Sequence, residues 1–204
     1  MPARNAKQWV NVPGKIKSGE YVDSRIYSDR EIFEEELIKI WRNVWIPVCH
    51  ESEIPDPYCF RTMTVAREPV MVVKGPDSKV RAFLNVCPHR GNMIENKPSG
   101  SFEKGSPSGA PKHMTCMFHA WQYDGASGQC TKIPYCERFP VQARVRAWDV
   151  QEKNGMIFVW LHTEGKPPEW DFPEMPEIGH ADWSEPRTFQ LELEAHVQET
   201  HENN

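Results

Sequence analysis

Two short stretches each place one thiol and one imidazole at ligand spacing. In "NVCPHRG" a single residue separates Cys87 from His89, and in "CMFHAW" two residues separate Cys116 from His119. Cysteine thiolate and neutral imidazole together are the donors of zinc and iron–sulfur chemistry. Tetrahedral zinc would accept two of each, although its knuckles typically pair Cys with Cys and His with His. A two-iron cluster with both thiolates on one iron and both imidazoles on the other needs the mixed supply that each stretch offers. Exchanging two thiolates for neutral imidazoles removes two negative charges, so an added electron meets less Coulomb repulsion and the potential rises. The blandest alternative makes His89 and His119 surface histidines above core cysteines. Two matched pairs, with Gly91 permitting a tight turn in the first, speak against it. Cys49, Cys59, Cys130 and Cys136 have no such companions. They read as reduced, mostly buried thiols, since six cysteines in 204 residues are too sparse for a disulfide scaffold.

The pairs must be held by something, and the surrounding pattern is that of short strands. "PVMVVKG" and "VRAFLNV" flank a "GPDSK" turn; "HMTCMFHAWQYD" and "QCTKIP" flank "GASG"; "VRAWDV" and "GMIFVWLH" flank "QEKN". Each reads as a hairpin, and the Cys–His pairs fall where strands of the first two run into loops. Residues 97–112, rich in Gly, Ser and Pro, read as a flexible excursion between the loops. Before the strands, residues 1–27 read as an extended arm. "SDREIFEEELIKIWRNVW" (28–45) reads as a helix with a Ser28–Glu31 capping box and an apolar face of Ile32, Phe33, Leu37, Ile40 and Trp41. Its acidic outer face reads as solvated. The expected fold is mostly β: a β-sandwich preceded by an arm and helix.

Composition is compatible with a packed core, with 39% hydrophobic residues, eight Trp and nine Phe. A net charge of −5 and the absence of a basic stripe argue against nucleic acid. No run of about 18 apolar residues marks a membrane span, and the polar start lacks the apolar stretch of a signal peptide. The expectation is a soluble, cytoplasmic protein.

"CPHRG" with "CMFHAW" resembles the signature of Rieske [2Fe-2S] proteins, specifically the α (terminal oxygenase) subunit of Rieske non-haem iron ring-hydroxylating oxygenases. "IYSDREIFEEELIKIWRNVWIPVCHESEIP", "FLNVCPHRG" and "FHAWQYDGASGQ" extend the resemblance over most of residues 26–162. It implies that Cys87 and Cys116 hold one iron and His89 and His119 the other, nearer the surface. Arg90, Gly91 and Trp121 would surround them, the ring of Trp121 covering the cluster. The chain departs from the family in two ways. His-Ala-Trp replaces the usual His-Gly-Trp, which should be tolerable only with a negative φ at Ala120. The loops are also further apart than usual. Respiratory Rieske proteins carry an additional disulfide-bonded cysteine in each loop, whereas Asn92 and Phe118 stand there in this chain.

Residues 165–186, "GKPPEWDFPEMPEIGHADWSEP", hold five prolines and read as a connecting strap. "TFQLELEAHVQET" (188–200) then alternates apolar and polar residues as a half-buried strand should. "HVQETHEN" resembles steroid- and sterol-type members, although His196 and His201 read as surface residues rather than ligands. The expected organisation is an arm and helix (1–44), a Rieske domain (45–164), a linker (165–186) and the start of an α+β helix-grip catalytic domain (187–204). No catalytic residue is assigned within the chain; ligands for a mononuclear Fe(II) are expected after Asn204. The resemblance implies transfer of electrons from a ferredoxin or flavin reductase to that iron, for dioxygen-dependent hydroxylation of an aromatic or steroid-like ring. It further implies a homotrimer, with or without a β subunit. A stand-alone Rieske ferredoxin and a zinc-stabilised binding domain are the alternatives.

Overall fold

The computed structural model describes residues 25–105, 112–138, 140–162 and 164–184, together with 187, 192 and 194. The expected arm before residue 25, the middle of the 97–112 excursion and the expected strand 188–200, with His196 and His201, lie outside the described residues.

Two helical pieces, α1 (Arg25–Ser28) and α2 (Arg30–Glu36), lead into a π-helical turn at Leu37–Trp41. The cap of α2 is Asp29 rather than Ser28: its carboxylate accepts from the Glu31 amide at 2.8 Å. Ser28 belongs to the preceding helical piece, which is why it cannot cap the second. Of the expected apolar face only Leu37 is buried, while Phe33 and Ile40 are exposed. The "solvated" acidic face is partly engaged. Both Glu34 carboxylate oxygens accept from Arg67 Nη1, at 2.7 and 2.8 Å, and the same guanidinium lies 4.9 Å from the Phe33 ring centre. Arg67 thereby docks the helix onto the sheet.

Among the described residues ten strands follow: β1 (Trp45–His50), β2 (Cys59–Val65), β3 (Glu68–Lys74), β4 (Val80–Leu84), β5 (Ser99–Ser101), β6 (His113–Thr115), β7 (Gln122–Asp124), β8 (Cys130–Lys132), β9 (Ala147–Lys153) and β10 (Met156–Trp160). Seven form one antiparallel sheet in the order β1-β10-β9-β4-β3-β2-β5, and β6-β7-β8 form a second. The three hairpins expected from the sequence are β3–β4, β7–β8 and β9–β10. In the last, the strands run further than expected and the turn is Asn154–Gly155, both at positive φ. That two-residue left-handed pair matches the twist of the flanking strands. The 97–112 segment is less of an excursion than its composition suggests. Ser99–Ser101 pair with β2, and Phe102 is buried and stacked on Phe60, centroids 4.4 Å apart.

Strand β3 explains the architecture. Val70 and Val72 face a core shared with Cys49, Val65, Val80, Ala82, Ile157 and Val159, enclosed by the curl of the large sheet. Met71 and Val73 point the other way, into a core with Phe83, Cys87, Ile94, Met114, Cys116 and Tyr123. A strand alternates its side chains between two faces, so a strand buried on both sides reads as a continuous apolar run. The second core seats the small sheet and both Cys–His loops on the large one. A third cluster, Trp45, Phe158 and Trp160, lies on the outer side of β1 and β10. Residues 166–172 of the strap cover it: Phe172 stacks on Phe158 at 4.0 Å, and the indole N–H groups of Trp45 and Trp160 donate to the Trp170 and Lys166 carbonyls. No helix among the described residues is long and apolar enough to cross a membrane.

Candidate metal centre

Both ligand loops close the same way. In the first, Gly91 N–H donates to the Cys87 carbonyl at 2.9 Å and Cys87 N–H to the Asn92 carbonyl at 2.8 Å. In the second, Ala120 N–H donates to the Cys116 carbonyl at 2.9 Å and Cys116 N–H to the Trp121 carbonyl at 2.9 Å. Four residues after each cysteine the chain must turn through the left-handed region, at φ 71° in Gly91 and φ 55° in Ala120. The expectation of a negative φ at Ala120 is therefore wrong. The paired hydrogen bonds impose the turn on whatever residue stands there, and alanine tolerates it at a cost of about 1–2 kcal/mol.

The loops bring together the four residues expected as ligands, as two pairs. Cys87 and Cys116 are 2% and 1% exposed and lie in the same buried core. The rings of His89 and His119 are edge to face with centroids 4.8 Å apart, and both are half-buried. Burial pushes the Cys87 thiol up, while the Tyr123 hydroxyl and the His89 backbone amide work in the opposite direction. The His89 imidazole is held below its ordinary value by burial first, then by His119 and Arg90. A neutral imidazole is the form that binds metal.

The residues fit a two-iron group. The two imidazoles face each other, and the two thiols share one buried core.

Gly91 closes the first loop, and Trp121 packs on the imidazole of that loop. The indole lies flat on His89, centroids 4.5 Å apart and planes 8° from parallel. Arg90 is exposed and acts on His89 through charge. Two further residues were missed from the sequence. Tyr123 is fully buried with its hydroxyl 3.0 Å from Cys87 Sγ, placed to donate to a thiolate. Burial, and after it the hydrogen bond to Cys87, push its own ionisation far up, so it stays a donor. Its signal was the alternation in "WQYD", which puts Trp121 and Tyr123 on one side of β7. Asn85 is 1% exposed. It donates to the Glu95 carbonyl at 2.6 Å and accepts from the Glu95 amide at 3.0 Å, tying off the base of the first loop. Nothing in the sequence pattern marks it.

The other cysteines are free thiols; Cys49 and Cys130 are buried, Cys59 is half-buried and Cys136 is exposed, against the expectation for the last.

Comparison with known proteins agrees with this geometry. Residues 44–149 match the Rieske [2Fe-2S] domain family, and residues 159–204 match the 3-ketosteroid 9α-hydroxylase C-terminal domain family. The methanesulfonate monooxygenase hydroxylase subunit alpha of Methylosulfonomonas methylovora is 51% identical over 82% of this chain and 41% of its own length. The 2-aminobenzenesulfonate 2,3-dioxygenase subunit alpha of Alcaligenes sp is 42% identical over 78% of this chain and 39% of its own. Among solved structures, the apo form of the quaternary ammonium Rieske monooxygenase CntA superposes with a TM-score of 0.61 at 30% identity, over 72% of this chain and 41% of that one. The chain spans about two fifths of the length of the relatives it matches.

Proposed function

The chain belongs to the Rieske [2Fe-2S] family of oxygenase α subunits, and from that premise we propose that Cys87 and Cys116 hold one iron of the cluster and His89 and His119 the other. The observation that carries the assignment is that two loops of the same hydrogen-bonded construction each bury one cysteine and bring their two imidazoles face to edge. When bound, the cluster supplies one-electron storage at a potential raised by its neutral ligands. The protein's own groups set the surroundings. Tyr123 donates to the Cys87 sulfur, the paired loop hydrogen bonds fix both cysteines, and Trp121 keeps water from one face of His89.

In the protein as a whole, electrons come from a ferredoxin or flavin reductase and go to a mononuclear Fe(II) that none of the assigned residues binds, for hydroxylation with dioxygen. Residues 45–164 form the Rieske domain, with 1–44 an arm and helix, 165–186 a linker and 187–204 the start of a catalytic domain. Identities of 51% and 42% to subunits named for sulfonate substrates, against 29% and 32% to two cholesterol 7-desaturases, favour a small organosulfonate over a sterol. A homotrimer, with or without a β subunit, is the proposed assembly.

Iron and acid-labile sulfide analysis tests the cluster, with two of each expected per chain. Pulsed electron paramagnetic resonance of the reduced protein should show coupling to two histidine nitrogens. A colourless protein holding one zinc would refute the assignment. Oxygen consumption by the protein as encoded, with a reductase and methanesulfonate, 2-aminobenzenesulfonate or cholesterol in turn, tests the substrate class. Turnover of cholesterol alone would overturn the sulfonate reading.

A further inference from the structure

We propose that Tyr135 is a positioning residue for the metal centre: its hydroxyl holds the indole of Trp121 flat against the imidazole of His89. The inference rests on the ligand assignment proposed for His89. Trp121 Nε1–H donates to Tyr135 Oη at 2.6 Å, on an indole already stacked within 8° of parallel on the imidazole.

Three observations say that the contact is built rather than incidental. Tyr135 is 62% exposed, so burial does not decide where its ring lies, yet its hydroxyl is directed back at an indole 14 residues earlier in the chain. Its turn is closed by the bridge between Ile133 and Cys136, in which the Cys136 amide donates to the Ile133 carbonyl at 3.1 Å. Ile133 is buried in the same core as Cys87 and Cys116, so the turn is rooted beneath the site that its tip covers. Trp121, for its part, is partly buried and packs against that core. One face of the indole is thus held by packing and its N–H edge by Tyr135.

The consequence follows from charge. Two ferric ions, two sulfides, two thiolates and two neutral imidazoles carry no net charge, and one added electron leaves one negative charge. Water near His89 stabilises the charged, reduced form, and an indole lying on the ring keeps that water away. Tyr135 therefore lowers the potential by keeping the cover closed.

Tyr135→Phe removes the hydroxyl and little else. Losing one neutral hydrogen bond shifts the indole from stacked towards swung out by about fivefold. In cluster-loaded protein the midpoint potential should rise. Deuterium modulation in the pulsed resonance spectrum of the reduced protein in D2O should deepen, while the two-nitrogen coupling is kept. In a Trp121→Phe background the same substitution should add nothing. A potential that is unchanged or falls in Tyr135→Phe, or an equal rise in both backgrounds, overturns the proposal. If the unsubstituted protein lacks the two-nitrogen coupling, the ligand assignment itself is refuted and Tyr135 loses its role with it. The coupling thus separates one failure from the other.

Discussion

Gly91 and Ala120 occupy equivalent places in two loops of the same construction, so exchanging their residue types should move stability in opposite directions. Ala120 sits at φ 55°, where an L side chain costs about 1–2 kcal/mol that glycine avoids. Against this, Ala120→Gly loosens the unfolded chain, at a cost of about 0.4–1 kcal/mol. The net expectation is stabilisation by roughly 0.5–1 kcal/mol. Gly91→Ala runs the other way. A Cβ built there meets nothing within 4 Å, so no clash adds to the torsional cost, and the loss should also be roughly 0.5–1 kcal/mol. For a chain of this size each should move the midpoint of thermal unfolding by about 1–4 °C, upward for Ala120→Gly and downward for Gly91→Ala. The assay is circular dichroism melting of cluster-loaded protein. All variants need one scan rate, because cofactor loss makes unfolding irreversible. Ala120→Gly that melts lower than the parent, or Gly91→Ala that melts with it, would refute the claim that the paired hydrogen bonds force a left-handed turn in both loops.

Asn85→Ala leaves the Glu95 amide and carbonyl unpaired in a buried place. It should destabilise by about 2–3 kcal/mol, read by urea unfolding, with cluster lost from the first loop before the second sheet melts. Burial, and then the Glu53 carboxylate, push the Cys49 thiol up to about 12, with Arg61 opposing. Its neutral form is favoured in the folded state, so the contribution is complete below the unfolded value and is lost as pH rises towards 12. Cys49→Ala should flatten the fall of stability above about pH 9, measured by denaturant midpoints across pH. In native protein a thiol reagent should modify the exposed Cys136 long before Cys49, and equal rates would contradict the burial. His89→Cys or His119→Cys adds a negative charge at the site, so a cluster that survives should have a potential well below the parent's by protein-film voltammetry.

The four proposed ligands were legible because their chemistry is local: a thiol and an imidazole two or three positions apart need only a tight turn to face one way. The three hairpins were legible too, since Gly, Asn and Asp at turns and alternating apolar residues act over a few positions. Helix capping failed at Ser28 because a neighbouring helical piece had already claimed it, and the 97–112 composition hid Phe102, whose stacking partner Phe60 lies far back in the chain.

What the sequence determined alone is thus the donor set, the turns and the alternation of β3. The tertiary structure decided that the two imidazoles face each other and that the two thiols share one core. It also decided the left-handed turn at Ala120, the Tyr123 hydroxyl on Cys87, the Asn85 clasp on Glu95 and the reach of Tyr135 to Trp121. Each of these depends on how far strands and loops are brought together across the second core. A hydrogen bond or a φ angle imposed from the far side of a packed interface leaves no periodic mark on the residue that receives it.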